Sequence, residues 1–253
     1  MCGALLVALA LLGRSSADEP AGYAEIRVVD SKTGRGVPLV ELETVNGLKF
    51  VTDNAGRIAF REPGLMGREI FFSVHGHGYG VAKDGFGIAG ARVTPQFEVP
   101  ARIHVTRRLP AERLCRLTGE GTYRDTLLLG RKPPVGESPH PGRVAGQDSV
   151  EAAIYAGKVH WFWGDTARMS YPLGLFRTAG ATTSVPDAHD PKSDPAGGIA
   201  FDYFVDPKTG FARAMMPLPE RPDGVIWVSG VCVVPDETSK ERLVCHYSRR
   251  KGL

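Results

Sequence analysis

Apolar residues in this chain come in short alternating runs, and each run stops at a turn. In PLVELET (38–44), Leu39, Glu41 and Glu43 point one way and Val40, Leu42 and Thr44 the other. A period of two is that of a strand with one buried face. AEIRVV (24–29), Leu48 to Thr52, RIAF (57–60) and REIFFSV (68–74) read as further short strands. DSKTGRG (30–36) and DNAG (53–56) are the turns between them, with Gly56 where a positive φ is tolerated. The 31 glycines and 19 prolines supply the turn formers such a pattern needs and argue against long helices. The expectation is an all-β protein that begins with a β-sandwich over 18–109.

Arg92 to Leu109 reads as a long closing strand, with PQFEVP as an irregular stretch. A connector spans 110–147. Its PAERLCRL (110–117) is expected to make one or two helical turns, and its TLLL (126–129) to be buried. RKPPVGESPHPGRVAGQ (131–147) has four prolines and three glycines and reads as a loop. From Asp148 the rhythm changes. SVEAAIY (149–155) and KVHWFWGD (158–165) make a hairpin around Ala156-Gly157. YPLGLFRTAGAT (171–182) is a third strand. FDYFV (201–205) and FARAMM (211–216) flank the turn DPKTG, and GVIWVSGVCVV (224–234) and RLVCHYS (242–248) form a last pair.

Ala4 to Leu12 is an apolar run too short to span a bilayer, and Ser15-Ser16-Ala17 follows it. This is the shape of a secretory signal peptide over 1–17, although no Lys or Arg precedes the run. The expected location is extracellular or periplasmic, with no transmembrane segment. A net charge of +3, without a basic stripe, excludes a nucleic-acid surface. Cleavage after Ala17 leaves Cys115, Cys232 and Cys245, an odd number. Pairing Val234 with Leu243 puts Cys232 opposite Cys245, close enough for a bridge. The alternative, two buried free thiols, is the favoured one. His75 and His77 are two apart, the spacing of one strand face, but no third metal ligand stands near them in sequence. No metal and no cofactor are expected.

Four-stranded antiparallel meanders in succession mark a β-propeller, and residues 148–253 hold about one and a half of them. That is too little to close a ring, so further blades of the same chain are expected as the partner of this half.

Two resemblances sharpen this. The Asp30…Thr33-Gly34 turn, Pro38, Thr52-Asp53-x-x-Gly56-Arg57 and Gly78-Tyr79 resemble the carboxypeptidase-regulatory-like, or transthyretin-like, sandwich. That resemblance covers about 24–107 and implies a structural or adhesive module without an active site. AGQDSVEAAIYAGKVHWFWGDTARMSYPLGLF resembles the first blade of five-bladed propellers of the glycosidase-like superfamily, which includes arabinanases and levansucrases. There a carboxylate at the start of the innermost strand points into the central cavity, and a second strand often ends in a phrase like WLFGDT. This chain departs in one respect: Asp148-Ser149 stands where active members often carry Asp-Pro.

Glycoside hydrolysis needs two carboxyl groups across the scissile bond, roughly 5–9.5 Å apart. Asp148 is the candidate base, and its acid partner is expected from a later blade. Gln147, Trp161, Trp163, Asp165 and Arg168 are the candidate sugar contacts. Each has a plainer reading. Asp165 at a strand end bonds turn N–H groups; the tryptophans fill a core; Arg168 is an exposed loop residue. Nucleophile-elbow, zinc-peptidase, P-loop and dinucleotide motifs are missing from the sequence. The expected function is a secreted carbohydrate-active or carbohydrate-binding protein, inactive without a second carboxylate. The alternative is a non-catalytic extracellular adhesion module.

Overall fold

The computed structural model of the chain describes residues 22–119, 121–135, 141–175, 177–187 and 197–251. The expected signal peptide lies outside the described residues. The chain is all-β apart from one short α-helix and one 3₁₀ turn among these residues.

The first unit contains β1 (Ala24–Asp30), β2 (Glu41–Thr44), β3 (Lys49–Val51), β4 (Arg57–Phe60), β5 (Ile70–His75), β6 (Tyr79–Gly80), β7 (Gly90–Val93) and β8 (Ala101–Arg107). They form two sheets of order β4-β1-β8-β6 and β3-β2-β5-β7. Ile26, Val28, Ile58, Phe60, Ile103 and Val105 of the first sheet meet Leu42, Ile70, Phe72 and Val74 of the second in one core. Phe60 and Phe72 pack edge to face at 6.0 Å. Two turns lock against each other beside this core. A Cβ on Gly36 would lie 1.9 Å from the Ala55 carbonyl, and one on Gly56 (φ +70) would lie 2.6 Å from Gly36 Cα. Only glycine fits at both places.

The expected closing strand over 92–109 is two strands in opposite sheets. β7 pairs antiparallel with β5, and β8 pairs parallel with β1. Pro95 and Pro100 bracket the crossing and withhold the N–H groups that a continuous ladder needs. The connector also differs. PAERLCRL is irregular, and the helix α1 is Arg124–Leu128. Of TLLL only Thr126 is fully buried, and Leu128 is 44% exposed. Polar bonds dock this helix. The Asp53 carboxylate accepts the N–H groups of Ala55 (2.9 Å) and Arg57 (3.1 Å) on one oxygen. Its other oxygen accepts the N–H (2.7 Å) and hydroxyl (2.6 Å) of Thr126. Asp125 accepts the Ala59 N–H on the open edge of β4 at 2.9 Å, standing in for a strand neighbour.

The second unit contains β9 (Val144–Gln147), β10 (Val150–Tyr155), β11 (Lys158–Trp163), β12 (Thr166–Arg168), β13 (Tyr171–Leu175), β14 (Ala179–Ser184), β15 (Asp202–Tyr203), β16 (Val225–Pro235) and β17 (Glu241–Arg250). β10-β11-β14-β15 form one antiparallel sheet, β13-β12-β9 a second and β16-β17 a third. Ala156 (φ 49) and Gly157 (φ 75) are both left-handed, as the expected two-residue hairpin turn requires. The single strand expected over 171–182 is again two, β13 and β14, in different sheets. Residues 144–147, expected as loop, pair with β12. FARAMM contributes one bridge, Ala212 to Val205. Val144, Trp163, Ala179, Ala181, Phe201, Tyr203, Phe211 and Ala212 make a second core.

In the β16–β17 hairpin Cys232 stands opposite Val244, one residue away from the expected register, after a bulge beyond Ser229. A one-residue slip turns a side chain to the other face, so Cys245 no longer faces Cys232. Cys232 and Cys245 are free thiols. Cys232 is exposed rather than buried, and Cys245 is half-buried with its sulfur 3.6 Å from that of Met216.

Asp53→Ala removes one acceptor from four bonds and leaves buried donors of Thr126 unpaired. Urea unfolding is expected to show a loss of about 3 kcal/mol. An unchanged midpoint would mean that the helix is docked by something else.

Candidate functional site

The β10–β11 register sets the site. Val150 is opposite Trp163 in the last regular pair. Asp148-Ser149 and Gly164-Asp165 therefore meet just beyond it. The Gly164 N–H donates to the carbonyls of Asp148 (3.0 Å) and Ser149 (3.2 Å), and the Asp148 N–H donates to the Asp165 carbonyl at 3.2 Å. The Asp165 N–H donates to Asp148 Oδ1 at 3.0 Å. Ser149 is left-handed at φ 49, an uncommon conformation for a residue with a Cβ. A Cβ on Gly164 would lie 2.6 Å from Asp148 Oδ1. The two acids are thus pinned side by side at a glycine.

Here Asp148, not Asp165, accepts the turn N–H. Asp165 is half-buried, and its own Oδ1 is shut off from solvent without a hydrogen-bond partner. Burial raises the Asp165 carboxyl above the usual carboxylate range, and the neighbouring Asp148 charge adds to the rise.

A cleft of about 380 Å³ opens on this pair. Asp148, Ser149, Gly164 and Asp165 line one side of it, and Trp227, Val228, Ser229 and Ser248 come from the β16–β17 hairpin. Thr178, fully buried ahead of β14, ties that hairpin down. Its N–H (3.3 Å) and hydroxyl (3.1 Å) donate to the Ile226 carbonyl, and its hydroxyl oxygen accepts the Val228 N–H at 3.3 Å. The indole Nε1 of Trp227 is buried and, like Asp165 Oδ1, has no hydrogen-bond partner. The residues lining this cleft therefore include one with a buried unpaired acceptor, one with a buried unpaired donor, and three serines.

A second cleft, about 230 Å³, shares Asp148 and Ser149. Gln147, Val150, Trp161, Trp163, Phe201 and two connector residues complete its lining. The Trp161 and Trp163 rings stack at 6.2 Å with 13° between their planes. Trp163 is a core residue, whereas Trp161 is half-buried and donates its indole N–H to Thr183 Oγ1 at 2.9 Å. Gln147 is occupied: it donates to Thr166 Oγ1 at 3.2 Å and accepts the Tyr203 hydroxyl at 2.7 Å.

The structure thus brings Asp148 and Asp165 together on the first cleft, and Gln147, Asp148, Trp161 and Trp163 on the second. Arg168 lines neither; its guanidinium lies 4.6 Å over the Phe211 ring. Trp227, Ser229 and Ser248 were missed. They approach Asp148 from far along the chain, and no local pattern marks them.

His75 also differs from expectation. β2 and β5 bring Glu41 and Glu43 beside it, with the three sets of donor atoms within 4.8 Å of one another. Lys49, 2.9 Å from Glu41 and 3.7 Å from Glu43, already supplies a positive charge there. His77 is not part of this group. No helix among the described residues is long and apolar enough to cross a membrane. No protein-family model matches the chain, and neither a curated protein nor a solved structure matches it.

The rise in the Asp165 carboxyl has a definite sign. Between its unfolded and folded values the native chain binds more protons, so stability falls as pH rises through that window from the unfolded value upward. Asp148→Asn keeps an oxygen for the Asp165 N–H and removes the charge. Carboxyl NMR is expected to show the Asp165 midpoint falling while staying above the usual carboxylate range, because burial remains. A midpoint unmoved by Asp148→Asn would separate the two acids electrostatically.

Proposed function

We propose that the chain binds a carbohydrate in the Asp148–Asp165 cleft, as an extracellular binding protein. One observation carries the reading: two residues that line one cleft, Asp165 and Trp227, each carry a buried polar atom, the acceptor Oδ1 and the donor Nε1, with no partner among the described residues. Unpaired buried polar atoms are costly and rare, and call for an explanation such as an absent ligand. A sugar hydroxyl both donates and accepts, so it satisfies the two kinds of atom at once. The aromatic shelf of the adjoining cleft offers the apolar surface on which a sugar ring's C–H face stacks.

Binding is favoured over hydrolysis by the placement of the acids. The Asp165 N–H rests on the Asp148 carboxylate, so the two groups are neighbours across one turn. A glycosidase sets its pair on opposite sides of the bond. The four-stranded meander β10-β11-β14-β15 supports the blade-like reading of this half. The apolar run Ala4 to Leu12 supports export.

A glycan array tests this. Wild type is expected to retain one glycan class, and Asp165→Asn and Trp227→Phe are each expected to weaken retention about tenfold or more. An array that retains nothing, or retention indifferent to both variants, would overturn the proposal.

A further inference from the structure

Three arginines stand side by side on the outer face of the first sheet. Arg27 of β1 is in register with Arg57 of β4 on one flank and Arg102 of β8 on the other. Ile26 and Val28, the alternate positions, fill the core, so the arginine row faces outward. Registered neighbours are about 5 Å apart at Cα, and like charges so placed repel. The Arg27 guanidinium responds: burial, and then the Arg57 charge, lower its proton affinity, with Arg102 and Arg131 adding to the effect and Glu25 opposing it.

One carboxylate answers this charge. Glu25 is buried two residues before Arg27 on the same face. One of its oxygens accepts from Arg57 Nε at 2.9 Å, and the other from Arg131 Nη2. Both are therefore engaged. The nearest acids on the connector side are engaged too: Asp125 with the Ala59 N–H and Arg124, and Asp53 with its four donors. Among the described residues, Arg27 and Arg102 have no carboxylate within ion-pair distance, and Arg27 Nε is buried without a hydrogen-bond partner. Four guanidiniums thus share one carboxylate, and an inward donor is left over.

We propose that the Arg57–Arg27–Arg102 row binds a tetrahedral oxyanion, a phosphate or sulfate group, either free or carried as an ester on a glycan. Guanidinium forks match the paired oxygens of such groups, and a doubly charged anion relieves the repulsion along the row. Arg102, the exposed end, is where the ligand enters, and the half-buried Arg27 guanidinium stands next along the row. The site is separate from the Asp148–Asp165 cleft and does not rest on the carbohydrate reading.

Thermal unfolding of the full chain at constant ionic strength tests the site. Sodium phosphate, sodium sulfate and a sulfated heparin hexasaccharide are titrated against sodium chloride. A saturable rise in Tm beyond chloride is expected with at least one of the three. The rise is expected to vanish in Arg102→Gln and to persist in Arg92→Gln, a control on β7 in the other sheet. In chloride alone, Arg102→Gln is expected to melt above wild type because the repulsion is relieved. Its side chain is exposed, so the variant folds even if Arg27→Gln does not. Saturation at lower concentration by the hexasaccharide assigns the ester as ligand, and saturation at equal or lower concentration by the inorganic ions assigns the free anion. A Tm that follows ionic strength alone, or a rise unaffected by Arg102→Gln, would overturn the proposal.

Discussion

The absent side chain of Gly164 is the constraint on which the candidate site depends. Because no Cβ is there, the Asp148 carboxylate lies against the turn and takes the Asp165 N–H. That contact fixes where both acids stand. Ser149 beside it is left-handed, and the regular β10–β11 pairing ends at the next residue. Asp165 is left with a carboxyl oxygen that nothing among the described residues satisfies. The hairpin β16–β17 lies across this point and brings the second unsatisfied group, the Trp227 indole.

Outside the cleft, several buried polar side chains have every bond they can make in use. Asp53 satisfies four donors and docks α1. Asp125 closes the edge of β4, and Thr178 bonds the last hairpin to the meander. The two apolar cores account for the folding of each half; the polar clamps decide how connector and hairpin lie on them. Outside the cleft, Arg27 Nε in the arginine row, Asp30 Oδ2 and Arg249 Nε are also buried without a hydrogen-bond partner among the described residues.

Much of the fold was legible in the sequence because strand period and turn chemistry are local. The alternation in 38–44, the Asp53–Gly56 turn and the Ala156-Gly157 hairpin were all readable. Sheet membership was not. The stretches 92–109 and 171–182 each look continuous in period, yet each divides between two sheets. Periodicity reports the face of a strand and says nothing about its neighbours. The helix was placed in the wrong segment because Asp53 and Asp125, not leucines, hold it. At the site, Asp148 and Asp165 stood out as acids at strand ends. Their contact follows from hairpin register, which the turn makes readable. Trp227 was illegible because its approach depends on Thr178 and a hairpin far along the chain.

Gly164→Ala tests the account most directly, because it adds one methyl group 2.6 Å from Asp148 Oδ1, with Ser149 the next side chain it meets. The carboxylate must swing away and give up the Asp165 N–H. With a glycan that wild type binds, calorimetry is expected to show affinity falling at least about tenfold, while cooperative unfolding is retained. Affinity equal to wild type in a variant whose Asp165 amide resonance has moved would contradict the claim that this pinned pair makes the site.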